Sequence, residues 1–209
     1  MTPDEQASAA DDLVRRHPAF APVVALEGPP RIGWGRPRRT HFAELARAIC
    51  FQQLAGAAAR SIHGRFEALY QRRPTAPAVL ATDEAALRAV GLSTAKTAAI
   101  RDLAVHVVDG SLPLRRIGAQ PDDLVVRELV QVRGIGRWTA EMFLIFQLGR
   151  PDVWPVDDLG VRKGYARLFR LPAMPTPKEL VPLGDPMRPY RSVAAWYCWR
   201  VADIVDPSA

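Results

Sequence analysis

Residues 129–165 read LVQVRGIGRWTAEMFLIFQLGRPDVWPVDDLGVRKGY, and this stretch decides the fold. A helix is expected to end near Val132, followed by a tight turn Arg133-Gly134-Ile135-Gly136 and a second helix from about Arg137 to Leu148. Two glycines so close together permit backbone angles that other residues resist, so the chain can reverse there. Such a turn leaves the first amides of the next helix outside its own hydrogen-bond ladder, beside the positive end of the helix dipole. That end can seat a phosphate without a charged side chain. A proline-bounded loop then leads to the paired carboxylates Asp157-Asp158, expected to open a third helix. An anion-binding hairpin followed by an acid at a helix start points to a nucleic-acid backbone on one side and chemistry on the other.

Outward from this stretch, nearly every segment has helical periodicity and no alternating strand pattern occurs, so the class is all-α. Helices are expected over residues 4–17, 41–54, 57–71, 83–90, 94–108, 122–132 and 190–204. The second is amphipathic through Phe42, Leu45, Ile49 and Leu54, and Gly56 breaks it from the third. Ser93 is placed to cap the helix over 94–108. Residues 28–37 form a Pro/Gly loop, and residues 172–189 are proline-rich. Residues 1–40, a helix and this loop, are expected to pack on a core formed by residues 41–209. The hairpin lies at about 125–148 and the third helix starts from 157, the whole acting as one domain.

Within that third helix an apolar stripe runs through Val161, Tyr165, Leu168 and Phe169. Asp158 stands three residues before Val161 and shares its inward face, whereas Asp157 is offset by about 100°. Asp157 is therefore read as an N-cap or first-turn acid and Asp158 as the inward carboxylate. The plainer alternative is that Asp158 also only caps.

At 209 residues the chain can bury a sizeable core. No apolar run approaches the ~20 residues of a membrane helix, and the start MTPDEQASAADD lacks the basic and apolar segments of a signal peptide. The expected location is the bacterial cytosol and nucleoid, away from membranes. Only Cys50 and Cys198 occur, which excludes a disulfide framework and a four-cysteine iron–sulfur cluster. The histidines at 17, 41, 63 and 106 show no ligand spacing, so no catalytic metal is expected. A net charge of +6 fits a polyanionic partner. Of the 28 basic residues, however, 25 are arginine, in an Ala- and Pro-rich chain of the kind a GC-rich genome produces, so charge alone assigns nothing.

Four ordered blocks resemble one family. Val132 to Ala140 with Asp158, residues 42–66 with Gln52-Gln53-Leu54, Gly91-Leu92-Ser93 with Lys96, and residues 189–203 are similar to the helix-hairpin-helix base-excision DNA glycosylases, in their 3-methyladenine DNA glycosylase II (alkylbase) branch. The resemblance spans roughly residues 40–205. It implies a two-lobed helical fold with the active-site cleft between lobes, and a monomer acting on double-stranded DNA that contains damaged bases. It also implies monofunctional hydrolysis of the N-glycosidic bond of alkylated purines after base flipping. A same-fold glycosylase for uracil, hypoxanthine or a mismatched base is the nearest alternative. A non-catalytic helix-hairpin-helix DNA-binding protein is a third, though a pure phosphate binder has no use for Asp158 or an aromatic Trp138.

By this resemblance Asp158 is the catalytic carboxylate, stabilising positive charge at C1′ or acting as general base. Trp138 stands where strand-cutting relatives carry a Schiff-base lysine; it offers either an aromatic face for a cationic base or core packing. Met142, Trp196 and Trp199 are further pocket residues implied by the resemblance, Met142 where relatives can carry tyrosine. The DNA-binding set is Gly134, Ile135, Gly136, Arg137, Thr139, Gln53, Leu54 and Lys163. Leu54 is either the wedge that fills the gap left by a flipped base or an ordinary core leucine. Lys163, roughly 140° around its helix from Asp158, is expected to face away from it. No cofactor is implied beyond a structural Na or K ion on the carbonyls of Val130, Val132 and Ile135.

Overall fold

The computed structural model describes residues 1–33 and 39–203, and every regular element among them is helical. The α-helices are α1 Pro3–Arg16, α2 Ala21–Glu27, α3 His41–Phe51, α4 Gly56–Ala68, α5 Ala76–Ala81, α6 Glu84–Ala89, α7 Thr94–Val108, α8 Asp122–Leu129, α9 Arg137–Phe146, α10 Leu159–Leu168, α11 Pro177–Leu183 and α12 Arg191–Asp203. The all-α expectation holds. Of the expected Pro/Gly loop, residues 34–37 lie outside the described residues, as does residue 204 of the last expected helix.

The chain divides into two compact units, residues 37–143 and residues 1–36 with 144–209. In the first, which we call the hairpin unit, α7 packs on α3, α5 and α6. Its interior is built from Leu45, Ile49, Phe66, Val79, Leu87, Ile100 and Leu103, all fully buried. Ser93 caps α7 as expected, its hydroxyl accepting the Lys96 amide at 3.2 Å. The hairpin itself is α8, a turn over residues 130–136, and α9 as far as Phe143. Val125, Leu129, Ile135 and Ala140 are its buried side.

In the second, the carboxylate unit, α12 packs on α10, α1 and α2. Aromatic rings fill its centre: Tyr165 stacks on Phe169 at 4.4 Å, and Phe20 meets both Phe169 and Tyr197 edge-on. The buried phenol of Tyr197 donates to the Gly28 carbonyl at 2.9 Å, so its one polar atom is satisfied. Gln6 is also buried, but its amide both donates to and accepts from the Ile32 backbone, at 2.9 and 2.8 Å.

Three short helices were not expected. α2 and α5 carry proline in their first turn, and α11 begins Thr176-Pro177 inside the stretch read as proline-rich. Proline at the first helical position suits a helix start, because its missing N–H has no partner there in any case. At α11 a capping box completes the signal: Thr176 accepts the Glu179 amide, and the Glu179 carboxylate accepts the Thr176 amide.

α10 and α12 approach so closely at Gly164 that a Cβ there would overlap the carbonyl of Cys198. Backbone cannot yield as a side-chain tip can. Gly164→Ala is therefore expected to destabilise the protein by about 3 kcal/mol or more, the upper end of overpacking costs. Thermal and urea denaturation read this directly; a change of only a few tenths would show that the two helices can slide apart freely.

Candidate active site

Asp158 belongs to the carboxylate unit, and the structure corrects its expected local role. α10 begins at Leu159, and Asp158 itself is the N-cap: its Oδ1 accepts the Val161 amide at 2.8 Å. Asp157, expected to cap, lies exposed in the preceding turn. The same Asp158 Oδ1 accepts the indole N–H of Trp199, also at 2.8 Å. With only 9% of its surface exposed, this carboxylate is held by two donors that fix its rotamer. The sequence alternatives, cap or inward acid, are thus both true of one residue.

Trp199 lies beside Phe146, ring centroids 5.5 Å apart and 31° between planes. A side chain at Gly160 would strike the Trp199 ring at 2.7 Å and Asp158 Oδ1 at 3.1 Å. Gly160 thus keeps open the path by which the indole reaches the acid. Neither Phe146 nor Gly160 was singled out from the sequence, although a glycine two residues after an acid at a helix start is a legible sign of close approach. Trp196, expected to share a face with Trp199, meets Tyr197 edge-on and carries the Arg200 guanidinium over its ring at 5.3 Å. Cys198 is fully buried, and burial, reinforced by the nearby Asp158, pushes its thiol far above the usual range. It cannot serve as a thiolate nucleophile. Lys163 is exposed on α10.

The hairpin unit holds the other candidates. In the turn only Gly134 has a positive φ, +78°, and its Cβ would come within 3.1 Å of the Ala99 side chain. Gly136 has no such need; space over it is open. The first hydrogen bond of α9 runs from the Ala140 amide to the Gly136 carbonyl, so the amides before it precede the helix's own ladder. Ile135 and Thr139 are buried. Arg137 pairs with the buried Glu141, Nε to Oε1 2.9 Å. Trp138 is 46% exposed, which rules out the core-packing alternative, and Met142 is half-buried.

Leu54 is not the end of a helix. α3 stops at Phe51, and residues 52–55 form a separate connection, exposed from Gln53 on, in which Gln53 adopts φ +55°. With 38% of its surface exposed, Leu54 is not a core leucine. What ends α3 is distant in sequence: the Lys96 ammonium donates to the carbonyls of Cys50 and Gln52 at 2.8 and 2.7 Å. A cation on the last carbonyls of a helix suits both their empty acceptors and the dipole. Burial lowers the Lys96 ammonium below an ordinary lysine.

Gly160→Ala tests the carboxylate arrangement without reference to any reaction. The added methyl should displace the Trp199 ring and break its hydrogen bond to Asp158, shifting tryptophan emission while costing about 1–3 kcal/mol of stability. An unchanged spectrum would mean that the indole does not depend on that gap.

Comparison with known proteins follows the same lines. The family model described as "HhH-GPD superfamily base excision DNA repair protein" matches residues 46–183. The chain is 35% identical over 187 residues to DNA-3-methyladenine glycosylase 1 of Schizosaccharomyces pombe, spanning 88% of this chain and 82% of the relative. Its fold matches the solved structure of a Schizosaccharomyces pombe 3-methyladenine DNA glycosylase in complex with abasic DNA, with a TM-score of 0.79, 34% identity, and 92% and 95% of the two chains covered. It also matches a DNA-3-methyladenine glycosidase from Bacillus halodurans, with a TM-score of 0.84, 30% identity, and 94% and 89% coverage. On the matched residues, the identity and the helical hairpin together, this chain belongs to the helix-hairpin-helix superfamily of base-excision DNA repair proteins.

Proposed function

We propose that the chain is a monofunctional DNA glycosylase that releases alkylated purines from duplex DNA, acting as a monomer. The observation that carries this reading is the buried Asp158 carboxylate, oriented by Val161 and Trp199, in a chain whose similar proteins are named for 3-methyladenine. An alkylated purine already carries positive charge and leaves readily. The demand on the protein is therefore to stabilise the cationic sugar that forms as the C1′–N bond breaks. A fixed anion in a site partly shielded from water does so with little reorganisation. Water then adds at C1′ and gives up a proton, for which Asp158 is the available base. The products are a free base and an abasic strand.

The exposed ring of Trp138 supports the choice of a cationic base, since an aromatic face attracts a cation by ~1–2 kcal/mol when desolvated. The α9 start supports a phosphate seat, and the carbonyls of Val130, Val132 and Ile135 are those that a monovalent ion would use there. The exposed Leu54 supports base flipping with an apolar wedge.

Asp158→Asn is expected to abolish base release while DNA affinity stays within a few-fold, because asparagine keeps the cap but not the charge. Single-turnover assays on methylated, hypoxanthine- and uracil-containing duplexes, run side by side, measure this and the lesion class together. Near-normal release by the variant, or preference for uracil in the parent, would overturn the reading.

The reaction should also leave nothing for borohydride to trap. An imine at C1′ needs an amine, and Trp138 offers none; of the three lysines, Lys96 is committed to two carbonyls and Lys163 and Lys178 are exposed. Strand cleavage should appear only after alkali. A trapped adduct that vanishes in Lys163→Ala would make the enzyme bifunctional.

A further inference from the structure

One stripe of α7 supports both loops that the hairpin unit presents to DNA. Lys96, Ala99 and Asp102 recur at three-residue spacing, so they lie along one side of that helix. Lys96 holds the carbonyls of Cys50 and Gln52. Ala99 lies directly beneath Gly134. Asp102 Oδ2 accepts the Arg133 amide at 2.7 Å, fixing the hairpin turn at its middle. The loops are also joined directly, since Gln52 Nε2 donates to the Gly134 carbonyl at 2.8 Å. Between these ties stands Gln53 at φ +55°, a conformation a non-glycine residue keeps only where its surroundings enforce it.

None of these contacts touches a reacting atom, and Lys96 is half-buried with its head on main-chain oxygens, so it is not one more phosphate ligand. We propose that Lys96 and Gln52 are positioning residues that make the 52–55 connection and the hairpin turn a single platform, so that seating phosphate on the hairpin sets how deeply Leu54 enters the duplex. This rests on the reading of Leu54 as the wedge. A loop tied only to its flanking helices would yield under the resistance of stacked bases. One tied to the phosphate seat transmits the binding energy of the backbone contact to the wedge.

The test compares an alkylated purine paired in duplex with the same base in a single-nucleotide bulge, where little unstacking remains to be done. Lys96→Met is expected to slow single-turnover excision of the paired base by about tenfold, the scale of a lost charge-assisted hydrogen bond, and of the bulged base by much less. Gln52→Ala should show the same preference more weakly, and it carries the test if Lys96→Met does not fold. Lys96→Arg, still able to reach both carbonyls, should restore most of the loss. The fluorescence of a 2-aminopurine beside the lesion should report less unstacking in step with rate. Equal losses on both substrates, or none on either, would overturn the proposal. Leu54→Ala separates the two layers. If it shows no preference for the paired substrate, the wedge reading fails; if it shows one and both Lys96→Met and Gln52→Ala do not, only the platform fails.

Discussion

At Gly164 the backbones of α10 and α12 are in contact with no side chain between them, and the carboxylate unit is arranged around that contact. Contact so close fixes the register of the two helices as well as their distance. Register is what brings the Trp199 indole, one residue after Cys198, to the Asp158 carboxylate that opens α10. Gly160 clears the same path one turn earlier. The aromatic rings of Phe20, Tyr165, Phe169 and Tyr197 pack together in the same unit. A hydrogen bond between two side chains far apart in sequence therefore depends on two glycines that carry no chemistry.

The hairpin unit solves a different problem by the same means. Its surface features are short, exposed and built partly from unfavourable backbone angles, none of which is rigid by itself. α7 supplies the rigidity, through an ammonium on two carbonyls, a methyl under a glycine and a carboxylate on an amide. The two polar contacts satisfy main-chain groups that would otherwise turn to solvent. Support of this kind holds a loop in place without covering the face it presents.

The legible parts of the sequence were those governed by local rules. Ser93 and the helix after it, the hairpin turn and the all-helical class all follow from caps, glycines and periodicity within a few residues. The adjacent acids Asp157 and Asp158 defeated the same rules, because both satisfy the pattern of an acid before a helix. Which one caps depends on where the amide of Val161 points. The end of α3 was misplaced for a deeper reason. Nothing between Phe51 and Leu54 stops a helix locally; Lys96, more than forty positions along the chain, does so from another element. α11 lies inside the stretch read only as proline-rich, where Pro177 is a helix start. Trp138 needed the structure outright, since an aromatic residue on an amphipathic helix looks the same in sequence whether it faces core or solvent.

The N-cap position of Asp158 has a consequence for how such a protein can evolve. Reactive groups usually sit where folding would prefer something else, and stability is lost to keep them. In the role proposed for Asp158 one carboxylate serves both ends, since capping a helix is itself worth ~1 kcal/mol. Replacing the acid by an apolar residue would loosen the helix as well as remove the charge. Asparagine, serine or threonine could keep the cap and discard the charge. A lineage abandoning the reaction would therefore be expected to drift to those residues first, and to remain folded when it did.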